Sequence, residues 1–595
     1  MKIFLLWRCI NDLGQVLAPE RVASNLQKIF SPLFSTPPKE RILQNSAMSV
    51  VVLEMLVLGW KPPFFQEDRQ TWALALDYPI NARTVLAENG ISFENDSVLP
   101  ILCRKLQHEP TVLLRDMAPP FSLVWASKQT DQTFVQNDGL GQSQLFELKG
   151  DRLWALTNKI TALKALDVPL EMEREHWAVR STLGWFPLDL TGYKRVRFLQ
   201  PATQLRLDST GITRTAHDVL SDWVHPNGLS QNDCLELARS SLLKQIKAAM
   251  PLWEKPSVGL SGGWDSRAVV TSLRAAGADF SARVRGLPGR DDVLIASELA
   301  KIAGFNLRVK KFEGLPPDDA EACKRCISLA LLWQAGHMVT HKHKTFLSHH
   351  QYLDGGVVNI MGQHGEIGRG YYAQRIRAVE LSEDQYEERL LTKLMASMPP
   401  FTRKELHDVV RQIIREAYRQ ADRYSLTGLA RLDFFYLYER TRRWASGSLS
   451  SQTGLVFAPF LNPDFIRAVF DYIGYGKETN PFHRYIIATN SPDWVTVPYS
   501  EDLKQRELTS EKVDVVKELE RKTVISASWK RPKGGYNYDS SLYWKAVGEP
   551  IIHEALARGG FWTEIFDPDM AEKWWQAAPD DLAIVHLLPE MLRSY

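Results

Sequence analysis

The period of the hydrophobic positions changes along this chain. Residues 2–7 form a β-rich apolar run. Residues 121–125 (FSLVW) and 133–136 read as neighbouring strands of an antiparallel meander, bounded by Pro119-Pro120 and by a polar turn at Asp131-Gln132. Apolar positions recur at three- and four-residue spacing over residues 21–30 and 97–107, which predicts helices that cover the sheet. The front half is therefore expected to be an α+β or β-sandwich domain. A Pro/Gly/Asn cluster within residues 222–232 precedes a long amphipathic run over 233–249, and the boundary is drawn there, between units 1–225 and 226–595. Beyond Val258 the order becomes strand (258–260), helix (265–276), strand (280–284), helix (292–303). That alternation predicts a parallel α/β sheet. Residues 387–443 read as helical and charged, and the chain has no internal repeat and no low-complexity tract.

Composition narrows the class. With 595 residues the chain is about four times the ~150 residues of a typical domain, so a small disulfide scaffold is excluded. Hydrophobic residues make up 44% and charged residues 24%, a globular balance that excludes disorder over most of the chain. Lys plus Arg (72) nearly equals Asp plus Glu (70), so bulk charge gives no reason to expect nucleic acid as a partner. Five cysteines, an odd number, fit a reducing cytosol. The apolar run before Arg8 is shorter than the ~7–15 residues of a secretory signal. The stretch 49–60 is interrupted by Glu54 and falls short of the ~18–20 residues of a membrane span. A cytoplasmic protein without a membrane partner is expected.

The most informative stretch is residues 257–266, SVGLSGGWDS. A strand ending at Leu260 runs into Ser261, Gly262 and Gly263 and then into a helix that begins near Asp265 and Ser266. Glycines let backbone N–H groups approach an anion closely, and the helix N-terminus adds the positive end of its dipole. Ser261 and Ser266 can donate hydroxyls to a pyrophosphate, and Asp265 can hold Mg²⁺ against it. The loop has no GK[ST], so it is not the cradle of a P-loop NTPase.

SGGWDS resembles the pyrophosphate loop of the ATP-pyrophosphatase synthetases, and the chain as a whole resembles the asparagine synthetase family within them. DVLIASELA (292–300), IMGQHGEIGRGYY (360–372), FAPFLN (457–462) and RPKGGY (531–536) are similar, in order, to that family's later motifs. NDGLGQSQLF (137–146) is similar to a hairpin of its front half. The resemblance implies a degenerate class II glutaminase-like (Ntn-type) sandwich, followed by an adenine nucleotide alpha hydrolase-like domain with a parallel sheet. It also implies ATP and Mg²⁺ as cofactors. Leu260, Ser261, Gly262, Gly263, Asp265, Ser266 and Gly362 would hold the nucleotide, Asp265 and Glu366 would share the metal, and Lys533 would be the active-site lysine.

Departures from the family pattern suggest which member it is. Lys2 stands where the glutaminase nucleophile, a cysteine at position 2, is expected, and Cys9 is a poor substitute because it follows the first strand. Gln363 stands where asparagine synthetases carry a carboxylate. Without ammonia from glutamine, the acceptor amine must arrive on the substrate, as in the β-lactam synthetases and the lasso peptide cyclases. The chain looks more like the cyclases, since a β-lactam synthetase would keep a Tyr at position 363. The expected reaction is adenylation of an Asp or Glu side chain of a linear core peptide, followed by attack of the peptide's N-terminal amine. A leader peptidase and a leader-recognition protein are the implied accessory partners. The alternatives are a β-lactam or other small-molecule amide synthetase and, from another class, an inactive binding scaffold.

Weaker signals complete the reading. Cys323 and Cys326 have CxxC spacing but no second pair, so Zn²⁺ would need His337 and His341; an inert pair of thiols is preferred. His341, His343, His349 and His350 read as a solvated helix end. His364, inside the acidic loop, is a candidate for proton transfer or phosphate contact.

Overall fold

The computed structural model describes residues 2–10, 17–34, 36–94, 97–286, 290–310, 325, 328–329, 331–333, 335–337, 356–378, 381–445, 455–472, 476–500 and 548–577. The front half contributes thirteen strands among the described residues. They are β1 (Lys2–Cys9), β2 (Lys39–Gln44), β3 (Ser49–Glu54), β4 (Val57–Leu58), β5 (Phe65–Glu67), β6 (Thr71–Asp77), β7 (Ser122–Ser127), β8 (Thr133–Asn137), β9 (Phe146–Lys149), β10 (Leu153–Thr157), β11 (Val196–Phe198), β12 (Thr203–Asp208) and β13 (Gly211–Ala216). Twelve of them form two antiparallel sheets, ordered β11-β9-β10-β1-β3-β2 and β13-β12-β8-β7-β6-β5.

Strand alternation explains how the sheets stack. Phe4 and Leu6 of β1 face Leu74, Val124, Val135 and Leu205 of the other sheet, forming the inner core. Ile3, Leu5 and Trp7 point the other way, onto Val22, Leu26 and Phe30 of the helix Pro19–Phe30. Ala73, Leu123 and Trp125 likewise face outward onto Leu99, Leu102 and Leu106 of the helix Val98–His108. Because both faces of β1 are covered, its sequence reads as a continuous apolar run without polar alternation. The front half is thus a helix–sheet–sheet–helix sandwich.

The back half contains the parallel sheet. Its strands β14 (Ser257–Gly259), β15 (Ser281–Arg285), β16 (Leu307–Lys310), β17 (Gly356–Ile360) and β18 (Leu455–Phe457) lie in the order β16-β15-β14-β17-β18, every pair parallel. The helices Trp264–Ala275 and Asp291–Ala303 connect the first three strands, as the alternation predicted. The helix Gln231–Ala249 begins at Ser230, whose side chain accepts from the Asp233 amide. Residues 383–445 are predominantly helical, with breaks at 396–403 and 425–427, and the last turns, Phe435–Ala445, are π-helix, which the sequence pattern did not foretell.

The two halves share surface. β4, from the front half, pairs in parallel with β17, and one apolar cluster unites Trp125 and Trp223 with Val258, Ile360 and Phe460. Among the described residues no helix is long and apolar enough to cross a membrane.

Candidate functional site

In the back sheet β14 is followed outward by β15 and β16 on one side and by β17 and β18 on the other. The strand order therefore reverses between β14 and β17. At such a switch point the connections leave the carboxyl ends of neighbouring strands in opposite directions and open a crevice where ligands bind. The loop 260–263 follows β14, and the loop 361–366 follows β17. The two motifs singled out in the sequence, about a hundred residues apart, line one crevice.

Glycine is what lets them meet. A Cβ on Gly362 would stand 2.8 Å from the backbone carbon of Asp265 and 2.9 Å from the amide nitrogen of Ser266. A Cβ on Gly365 would collide with the Asp265 carboxylate and lie 3.0 Å from Phe460. Phe460 belongs to the FAPFLN stretch, which backs this loop as β18 turns into the helix Pro463–Asp471.

The first loop is preorganised by its own hydroxyls. Ser261 Oγ and Ser266 Oγ lie 2.9 Å apart, the Ser261 amide donates to Ser266 Oγ at 3.0 Å, and the Gly263 amide donates to Ser261 Oγ at 3.2 Å. Gly263 caps the following helix without a side-chain acceptor. The helix N-terminus thus presents its first turn to the crevice without a competing cap. The third loop amide is engaged from outside the loop: the Gly262 N–H donates to Asp292 Oδ1 at 2.8 Å, and Ser500 Oγ donates to the same oxygen. Leu260 is buried and donates its amide to Arg283 O at 2.8 Å.

Asp265 and Glu366 are both half-buried beside each other. Arg369 Nη1 lies 3.2 Å from Asp265 Oδ2, and His483 Nε2 lies 2.8 Å from Asp265 Oδ1. Burial opposes ionisation of Asp265, but His483 and Arg369 outweigh it and hold the carboxyl below its usual range. Glu366 goes the other way. Burial first, then the charge of Asp265, push its pKa up to about 7, although Tyr436 donates its hydroxyl to Oε2 at 3.0 Å. Two acids that repel each other at a crevice lined by amides and hydroxyls suit a divalent cation, which would let both ionise. Among the described residues no group of three or more His, Cys, Asp or Glu stands together as a metal site. A cation held here would therefore take its remaining ligands from substrate oxygens and water, the usual habit of Mg²⁺.

Of the residues singled out in the sequence, the structure brings Asp265, Glu366, Gly362 and the loop 260–263 together; the sequence did not point to Asp292, Arg369, Tyr436 and His483 as their partners. Arg369 lies inside the quoted 360–372 stretch, where its charge was the available signal. His483 and Tyr436 come from distant helices whose sequences carry no motif. His364 is buried, has a φ of +74°, and is held neutral by burial, with a pKa of about 4. Lys533, Cys323, Cys326, His341, His343, His349 and His350 lie outside the described residues. His337 is packed against Phe146, Phe186 and Phe198, a core setting for an imidazole.

The front half has no exposed thiol at its first strand. Lys2 is buried, with its ammonium 3.0 Å from the centre of the Phe64 ring, and the half-buried thiol of Cys9 is raised by burial. Both features oppose a cysteine nucleophile here.

No family model matches the chain, and no curated protein matches it. Similar solved structures include the allosteric regulatory enzyme of purine biosynthesis, 11% identical over 52% of this chain and 80% of that one, with a TM-score of 0.26. Glutamine phosphoribosylpyrophosphate amidotransferase from B. subtilis, complexed with ADP and GMP, is 10% identical over 61% of this chain and 81% of its own, with a TM-score of 0.24. Both neighbours are enzymes, and at these scores the likeness is too distant to carry an argument about this chain.

Proposed function

We propose that this chain is a cytoplasmic, ATP-dependent, amide-forming ligase that closes a macrolactam in a linear core peptide. It would join the N-terminal amine to an Asp or Glu side chain and release AMP and pyrophosphate. One observation carries the reading: at the switch point of a parallel sheet, an amide- and hydroxyl-lined loop (260–266) meets a loop bearing Gly362 and Glu366. Lys2 in place of a nucleophilic cysteine supports an amine that arrives on the substrate.

In this reading the Gly262 and Gly263 amides and the first turn of the helix Trp264–Ala275 orient the phosphates, with Asp292 yielding the Gly262 amide and Ser261 Oγ the Gly263 amide. The substrate carboxylate oxygen attacks the α-phosphorus as the bond to pyrophosphate breaks. The free amine then attacks the acyl carbon, AMP leaves with the bonding pair, and the amine's proton is released. Mg²⁺ on Asp265 and Glu366 would supply charge neutralisation as pyrophosphate departs. Arg369 and His483 orient Asp265, Tyr436 orients Glu366, and Lys533 is assigned to the charge that develops on the acyl group. Placement of amine and ester in one bound peptide can contribute ~7–11 kcal/mol.

The test follows AMP formation, and loss of water from linear peptides that carry a free N-terminal amine and an internal Asp or Glu, by mass spectrometry. Asp265→Ala and Glu366→Ala should each abolish AMP formation. Lys533→Ala should bind nucleotide but close the ring ~10²–10³ more slowly. AMP formation at the wild-type rate by either carboxylate variant removes that residue from the site, and ring closure fed by glutamine hydrolysis would overturn the reading.

A further inference from the structure

A cavity of about 570 Å³ opens at the seam between the two halves, and no residue of the loops 260–266 and 361–366 lines it. Asp189 and Asp218 line it from the front half, and Arg423, Tyr438, Glu439 and Arg442 from the back half. Asp218 and Arg423 are exposed at its mouth, while Tyr438, Glu439 and Arg442 are buried at its floor. Its volume is about four times the ~150 Å³ that accepts benzene, room for about three amino-acid residues.

The floor holds polar atoms that the protein leaves unsatisfied. Glu439 is 0% exposed; its Oε2 accepts the Leu188 amide at 2.9 Å, while Oε1 has no hydrogen-bond partner among the described residues. Arg442 is 1% exposed, and its Nε and Nη2 are likewise without a partner there. The guanidinium lies 5.1 Å from the centre of the Tyr438 ring. Buried donors and acceptors are almost always satisfied, so orphans of both kinds at one wall suit a ligand that both accepts and donates. Both side chains line the cavity, and rotation about their terminal bonds brings these atoms to an occupant.

Charge narrows the class. Asp189, Asp218 and Glu439 stand against Arg423 and Arg442 in the lining, and the buried Arg443 acts on Glu439 as well. Burial opposes the charge of both Glu439 and Arg443, one of each sign, so the balance holds whether or not they ionise. Burial also favours neutral His217, the remaining titratable imidazole of the lining. A balanced wall favours neither an anion nor a cation, and an apolar occupant would leave the orphans unpaired at a cost. A neutral chain of amides offers carbonyls to Arg442 and N–H groups to Glu439.

The helix that supplies this wall also reaches the crevice. Tyr436, three residues before Glu439, donates to Glu366 at 3.0 Å. Tyr436, Glu439 and Arg442 all lie in the π-helical turns Phe435–Ala445, a form frequent at functional sites.

We propose that this cavity binds a short stretch of peptide main chain, with its carbonyls on Arg442 and an N–H on Glu439. Identifying that stretch with part of the linear substrate rests on the ligase reading; the binding itself needs no nucleotide.

The experiment is calorimetric titration of the full chain, without nucleotide, with N-acetyl-trialanine amide, with its fully N-methylated counterpart, and with succinate. The tripeptide should bind saturably, with a Kd of ~1 mM or below. The N-methylated peptide should bind at least about tenfold more weakly, because it has no N–H for Glu439. Arg442→Met should weaken the tripeptide about tenfold or more, and Glu439→Gln should weaken it less, because an amide oxygen still accepts. Melting temperatures confirm that the variants fold, and the two peptides on the unaltered chain decide the matter if Arg442→Met does not. Equal binding of the two peptides, undiminished binding by a folded Arg442→Met, or no saturable heat would overturn the site. Tighter binding of succinate than of the tripeptide would overturn its assignment to a neutral amide chain. Saturable tripeptide binding by a chain that forms no AMP with linear peptides would uphold the site and overturn only the ligase reading.

Discussion

Replacing Lys2 by methionine should make the protein more stable at neutral pH. The folded chain holds this ammonium down to about 7 from an ordinary 10.5, chiefly through burial, with Glu54 and Asp77 recovering only part of the loss. A shift of that size corresponds to about 4–5 kcal/mol that favours the unfolded chain at pH 7. Methionine matches the length of the side chain and removes the charge. It also loses the hydrogen bond to Leu76 O and the contact with the Phe64 ring, worth about 1 kcal/mol each. The net gain is about 2–3 kcal/mol, read as a rise of several degrees in the melting temperature of the front half. The sign with pH follows from the same numbers. Between about 7 and 10.5 the unfolded chain holds a proton that the folded chain has released, so wild-type stability rises with pH across that window. The advantage of Lys2→Met should therefore be largest near pH 7 and vanish toward pH 10.5. Calorimetric melting of both proteins at several pH values measures it. A destabilised variant at pH 7, or an advantage that grows with pH, would refute the burial argument.

Two further outcomes are expected. Gly362→Ala should weaken binding of Mg·ATP and cost ~1–3 kcal/mol in denaturant unfolding, because its Cβ meets Asp265 at 2.8 Å; Gly259→Ala, whose Cβ meets nothing within 4 Å, should do neither. His176, with Nδ1 2.7 Å from Thr191 O and its pKa lowered to about 4 by burial, contributes stability that is complete above its ordinary 6.5 and lost as pH falls toward 4. That contribution is about 3 kcal/mol, and His176→Gln should flatten the dependence of the unfolding midpoint on pH in that window.

What was legible in the sequence is what local pattern encodes. The run 2–7 marked β1, and the alternation after Val258 marked β14, β15 and their helices, because one chain segment supplies each signal. Gly262, Gly263 and Asp265 were legible as a tight strand-to-helix turn because adjacent residues build it. The contacts among distant segments were not. The pairing of β4 with β17 joins residues about three hundred apart, and nothing in Val57-Leu58 distinguishes an edge strand of the back sheet from one of the sandwich. His483 reads as an ordinary helical histidine until folding sets it against Asp265. Asp292 reads as the acidic first turn of a helix, and in the fold it also accepts the Gly262 amide. Lys2 was read as a missing nucleophile; that it lines a cavity depends on β6 and on the loop after β17, neither adjacent in sequence.

The central claim is that the crevice between β14 and β17 holds ATP by its phosphates. Hydrogen–deuterium exchange of the full chain, with and without Mg²⁺ and α,β-methylene-ATP, tests it most directly. The account predicts slowed exchange at the amides of residues 260–266 and 361–366, with the antiparallel sandwich strands unchanged. Unchanged exchange in both loops at saturating nucleotide, or protection confined to the front half, would contradict it.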